Sequence, residues 1–215
     1  MSSQPQLAYL TPDEYLIFER KANDKSEYFN GEIFAMAGAS KKHNLIVGNA
    51  FAELHAQLKK RPCQIYANDM RVKVSATGLY TYPDIVAVCE KEQFDDKEKD
   101  TLLNPTLIIE VLSDSTEAYD RGEKFKQYRQ LASLKEYVLI AQNKYLIEHY
   151  VRQPNEQWLF SETDDLQNTM QFSAINCHLT LHEVYNKVEI MSQRLLVSHV
   201  GLISMCERSE NKGKI

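Results

Sequence analysis

Residues 104–131 read NPTLIIEVLSDSTEAYDRGEKFKQYRQL. Thr106 to Leu112 is a nearly continuous aliphatic and β-branched run, which suits a strand covered on both faces. The charged half that follows fits a helix over about 121–132, with Asp120 and Glu123 as a capping pair and Phe125, Tyr128 and Ala132 on its inner face. Gly122 weakens its first turn. A doubly covered strand that feeds a helix places the chain in the α/β class.

Downstream, Lys135 to Ala141 and Tyr145 to Val151 read as strands joined at Gln142-Asn143. A shorter strand follows near Trp158 to Ser161, and a helix near Leu181 to Val188. Upstream, Tyr82 to Cys89 is a second buried-type run, and Cys63 to Ala67 and Met70 to Val74 are strand-like. Phe94 to Asp100, FDDKEKD, is a solvated charged loop or the start of a short exposed helix.

A helix over about 41–60 is capped by Ser40 and carries Val47, Phe51, Leu54 and Leu58 as one apolar stripe, with His43 on that stripe a turn earlier. Glu27 to Ala37 forms two short strands around Asn30-Gly31, the dipeptide that most readily takes a type I′ turn. Thr11, Pro12 and Glu14 supply an N-cap, a first-turn proline and a capping-box acid for a helix over about 12–22.

The 215 residues suit one domain, read here as 1–190, with 191–215 as a C-terminal extension. That extension holds the apolar piece RLLVSHVGLISM and a polar end, ERSENKGKI, expected to be disordered. The apolar share of 43% and charged share of 26% are globular values, and no apolar run approaches the roughly 18 to 20 residues that span a bilayer. With no secretory signal at the N-terminus, a cytoplasmic location is the expectation. Cys63, Cys89, Cys177 and Cys206 are scattered and expected as reduced core thiols. A net charge of −5 argues against a broad phosphate-binding surface, although Arg121, Lys124, Lys126 and Arg129 concentrate positive charge locally.

Glu110 stands inside its apolar run, flanked by Ile109 and Val111, and an unpaired carboxylate there is costly. An acid in a strand is ordinarily an edge position or half of an ion pair. Asp84, after Pro83 at the start of the other buried run, supplies a second carboxylate. From adjacent strands the two offer hard oxygen ligands for Mg²⁺ or Mn²⁺, with the Val111 carbonyl and waters completing the set. Lys124, early in the following helix, is the lysine that could orient a water or steady charge on a phosphate. No glycine-rich phosphate loop, GxSxG elbow or HExxH is present, and only 7 glycines are available for tight phosphate cradles.

Pro83-Asp84 with Glu110, Val111 and Leu112 resembles the PD-(D/E)XK nuclease signature, with Leu112 where its lysine belongs. In several branches of that superfamily the lysine lies on the following helix, and Lys124 matches that migrated position. EYFNGEIFAMAGASKKHN, YPDIVAV, the 104–131 stretch and LKEYVLI together resemble a restriction-endonuclease-like family abundant in cyanobacteria, over about residues 10–190. The resemblance implies a restriction-endonuclease-like core with a mixed β-sheet flanked by helices, preceded here by the N-terminal helix and hairpin, and often a homodimer. It implies DNA as partner, and a Mg²⁺- or Mn²⁺-dependent endonuclease in which Asp84 and Glu110 hold the metal. It also brings forward Glu32 and His43 as further site residues. The alternative is a catalytically inactive nuclease-fold protein that binds or regulates.

Overall fold

The computed structural model describes residues 9–190. Thr11 and Glu14 exchange hydrogen bonds as a capping box at the start of α1 (Pro12–Glu19), which ends three residues before the expected 22. β1 (Ser26–Phe29) and β2 (Glu32–Ala35) turn through Asn30 and Gly31 at φ 50° and 89°, the left-handed pair that a type I′ hairpin needs. Ser40 caps α2 (Lys41–Leu58) by accepting from the His43 amide.

The strands that follow are β3 (Gln64–Ala67), β4 (Arg71–Val74), β5 (Leu79–Thr81), β6 (Ile85–Val88), β7 (Thr101–Leu102) and β8 (Leu107–Leu112). Beyond β8 lie α3 (Glu117–Tyr119), a π-helical turn (Asp120–Lys124) and α4 (Phe125–Tyr128), which run on from one another. β9 (Glu136–Ala141), β10 (Ile147–Arg152), β11 (Trp158–Thr163), β12 (Thr169–Phe172), β13 (Cys177–Thr180) and α5 (Leu181–Val184) complete the described chain.

The strands form two mixed sheets and a hairpin. One sheet has the order β2-β1-β5-β4-β7, the other β11-β10-β9-β8-β6-β3, and β12 pairs with β13. β8 runs antiparallel to β6 and parallel to β9, and so lies inside the six-stranded sheet. Its alternation splits two cores. Leu107, Ile109 and Val111 pack with Ile46, Leu54 and Phe172, while Ile108 and Leu112 pack with Val72, Tyr128 and Tyr137. Glu110 shares the second face, so its carboxylate enters the core between the two sheets.

Leu54 is fully buried in the first core. Leu54→Ala is expected to cost about 2–5 kcal/mol by leaving a cavity under α2. Urea unfolding checks this as a lower midpoint with an unchanged slope.

Several expectations are corrected. Of the Tyr82–Cys89 run only Ile85–Val88 is strand, in the second sheet, because Tyr82–Asp84 forms the link from β5 of the first sheet. Pro83, which has no amide hydrogen for a ladder, sits at the crossing, and Asp84 follows it at the sheet junction. The acidic loop at 94–100 is not simply solvated, because Asp96 and Asp100 pair with Arg20, and Asp95 with Lys73.

The helix expected over 121–132 instead starts at Glu117 and ends at Tyr128. Asp120 is no N-cap; its amide donates to the Thr116 carbonyl and its carboxyl is buried. The hairpin β12–β13 has no counterpart in the sequence reading. Cys63 and Cys89 form a disulfide, since the Gln64–Val88 register sets them opposite each other one step further along. Cys177 is free and buried. The expected extension 191–215, with Cys206, lies outside the described residues.

Candidate active site

The crossing at Pro83 delivers Asp84 to the end of β6 beside the middle of β8. Asp84 Oδ2 accepts from the Val111 amide at 2.7 Å and lies 3.1 Å from His43 Nε2. The Asp84 amide in turn donates to Glu110 Oε2 at 3.4 Å, so the two acids touch through the backbone. Within a strand a residue's amide and carbonyl point the same way, and the Val111 carbonyl therefore faces the Asp84 side.

Glu110 is 4% exposed. Its Oε1 accepts from the Tyr128 hydroxyl at 2.8 Å and lies 3.0 Å from Lys124 Nζ. The same ammonium lies 3.0 Å from Glu27 Oε1 on β1 and 3.6 Å from Asp120 Oδ1. Asp120, Lys124 and Tyr128 are spaced by four and form one helical stripe facing β8. Glu27 is held within its own sheet by the Thr81 hydroxyl on β5, and from α3 by the Tyr119 hydroxyl at 3.3 Å.

Three carboxylates thus face one ammonium in apolar surroundings. Burial is the chief cause that pushes the Glu110 carboxyl up to about 8; Lys124 opposes the rise, while Asp120 and Asp84 add to it. Burial likewise raises Asp120, again against Lys124. For Lys124 burial acts downward, but Glu110, Glu27 and Asp120 outweigh it and hold the ammonium well above the ordinary lysine value. Glu110, Asp120 and Lys124 thus all move upward, and the cluster holds a surplus of buried carboxylates over the one lysine that can neutralise them.

That surplus fits a divalent cation. No trio of His, Cys, Asp or Glu side chains converges as a ligand cage among the described residues. The available oxygens are the Asp84 and Glu110 carboxylates and the Val111 carbonyl, and waters would fill the remaining positions, a pattern suited to Mg²⁺ or Mn²⁺.

Of the residues singled out in the sequence, Asp84, Glu110, Val111, Lys124 and His43 come together. Glu32 does not, because it lies exposed on β2, across the hairpin turn from the site. The upstream glutamate that reaches Lys124 is Glu27. Glu27, Asp120, Tyr119 and Tyr128 are the residues the sequence reading missed. The four-residue spacing of Asp120, Lys124 and Tyr128 carried a signal for two of them; the cross-sheet approach of Glu27 had none.

The family described as Uma2, "Putative restriction endonuclease", matches residues 12–182. An uncharacterized protein of Synechocystis sp. is 38% identical over 164 residues, covering 76% of this chain and 93% of that protein. A second from the same organism is 37% identical over 150 residues, covering 70% and 78%. A crystal structure of a "putative nuclease belonging to DUF820" from Anabaena variabilis superposes with a TM-score of 0.69 at 17% identity, over 84% of this chain and 99% of that one. That likeness establishes the fold.

Proposed function

The chain belongs to the Uma2 family of restriction-endonuclease-like proteins, and from that premise we propose that it is a metal-dependent endonuclease hydrolysing DNA phosphodiester bonds. Asp84 and Glu110 hold Mg²⁺ or Mn²⁺ with the Val111 carbonyl, and Lys124 assists. The observation that carries this reading is the contact of Lys124 Nζ with Glu110 Oε1 at 3.0 Å beside Asp84. It puts a lysine on a helix where the superfamily signature asks for one on the strand.

A divalent cation, when bound, supplies Lewis-acid polarisation of the phosphodiester and a more acidic water. His43 and the Val111 amide both hold Asp84 Oδ2, which fixes the carboxylate, and Oδ1, with no hydrogen-bond partner among the described residues, is the oxygen that would be offered to a metal. Tyr128 fixes Glu110 in the same manner. The Lys124 ammonium stabilises charge that develops on the phosphate oxygens or orients the attacking water. Glu27 and Asp120 keep that amine protonated and in place. The partner in this reading is DNA, and the protein acts as a homodimer.

Incubation with linear, supercoiled and branched DNA tests the activity. Cleavage of at least one form is expected with Mn²⁺ and not with EDTA. Calorimetry should show Mn²⁺ binding that Asp84→Ala abolishes.

A second reading, an inactive nuclease-fold binding protein, is favoured by one feature: Lys124 is engaged by three carboxylates at once. Absence of both cleavage and Mn²⁺ binding would select it.

A further inference from the structure

The helical segment after β8 carries a second stripe. Arg121, Phe125 and Arg129 follow one another at four-residue spacing on the flank turned away from Lys124. Phe125 stacks on Tyr137 with ring centroids 4.9 Å apart, and meets Tyr150 at 4.6 Å and Trp158 at 5.2 Å. Tyr150 then meets Phe160 at 5.0 Å.

This row follows from sheet register. Ile108, Tyr137, Tyr150 and Phe160 are successive cross-strand partners on β8, β9, β10 and β11, on the face that also carries Glu110. The helix covers β9 and ends before β11. Tyr137 is therefore buried, Tyr150 and Trp158 are half-buried, and Phe160 is 47% exposed.

The next rung is basic. Arg152 pairs in register with Trp158, and its amide bonds the Lys135 carbonyl. The Arg152 guanidinium lies 4.7 Å from the Trp158 ring and donates to the Arg129 carbonyl. Arg129 lies over Phe125 at 5.3 Å. Among the described residues neither Arg129 nor Lys135 has a carboxylate within ion-pair distance, and Arg152 has only Glu156. The rung on the other side of Tyr150 and Phe160 pairs Glu148 with Glu162, so the positive charge is confined to the Arg152 end of the row, one rung from the exposed Phe160 ring.

We propose that this face binds unpaired bases of single-stranded DNA. Phe160 and Tyr150 stack on bases, as ring faces do for any base sequence, and Arg129 and Lys135 meet the phosphates. The choice of ligand rests on the nuclease reading above. Strand spacing of about 4.8 Å puts β10 and β11 roughly 10 to 14 Å from β8, so a short unpaired run can link the platform to the Glu110 side of the helix. The substrate class this implies is DNA with a single-stranded segment next to the cut.

Trp158 is the chain's one tryptophan and reports on the platform directly. The full-length protein is titrated with oligothymidylate and with a duplex of equal length, in EDTA, following tryptophan fluorescence. Saturable quenching by oligothymidylate, weaker for the duplex and reduced by salt, is expected. Phe160→Ala should weaken it about tenfold, within the range for loss of one stacked base, and Arg129→Gln should flatten its salt dependence.

An unchanged signal, or equal affinity in Phe160→Ala, overturns the proposal. So does a fluorescence change that tracks protein concentration alone, which would assign the face to a second copy of the chain. Because the titration needs neither metal nor cleavage, its failure with Mn²⁺-dependent cleavage intact removes the platform and leaves the active-site reading standing.

Discussion

Lys124→Ala is expected to lower DNA cleavage by about 10²- to 10³-fold, the usual loss when a preorganised donor to developing charge is removed. It should also destabilise the fold by about 3–5 kcal/mol, because breaking a buried pair leaves charge uncompensated. Lys124 is 5% exposed and is the counter-ion of Glu110, Glu27 and Asp120 together. Without it the carboxyls must take up protons to stay buried. The stability deficit of the variant should therefore shrink as pH falls. Single-turnover cleavage and urea unfolding at pH 5.5 and 8 measure both effects; an equal deficit at the two pH values would contradict the charge-balance explanation.

Glu110→Gln should separate binding from folding. In the metal-free protein the Glu110 carboxyl is raised, mainly by burial, from 4.5 to about 8. Between those values the folded form keeps a proton that the unfolded chain has lost. The contribution of this group to stability is thus complete below about 4.5 and falls as pH rises through about 8. The melting temperature of the metal-free protein should fall from pH 5 to 9, and Glu110→Gln should flatten that fall while keeping an acceptor for Tyr128. Mn²⁺ should raise the melting temperature of the natural protein and leave that of the variant unchanged. Cleavage by the variant should be lost.

Much of this frame was legible because local chemistry specified it. Thr11 with Glu14, and Asn30 with Gly31, each solve a backbone problem within four residues, and the structure uses both. The run around Glu110 announced a doubly covered strand, and its cost of burial made that residue informative. What the sequence hid is what depends on distant pairing. The crossing of Tyr82–Asp84 between two sheets is invisible in a run that reads as one strand. The Cys63–Cys89 bond needs the register of β3 on β6. Glu27 outranks Glu32 because β1 lies inside its sheet while β2 forms the edge, and nothing local distinguishes the two glutamates. The π-helical turn places Asp120 in the cluster, where capping logic assigned it to the helix end.

The central claim is that Asp84, Glu110 and Lys124 form a working metal-dependent nuclease site. The most direct test is Mn²⁺-dependent nicking of supercoiled plasmid DNA by the natural protein and by Glu110→Gln, prepared identically and confirmed folded by circular dichroism. Nicking by the natural protein that is at least about 100-fold slower in the variant is the predicted result. Equal nicking by the two proteins would contradict it.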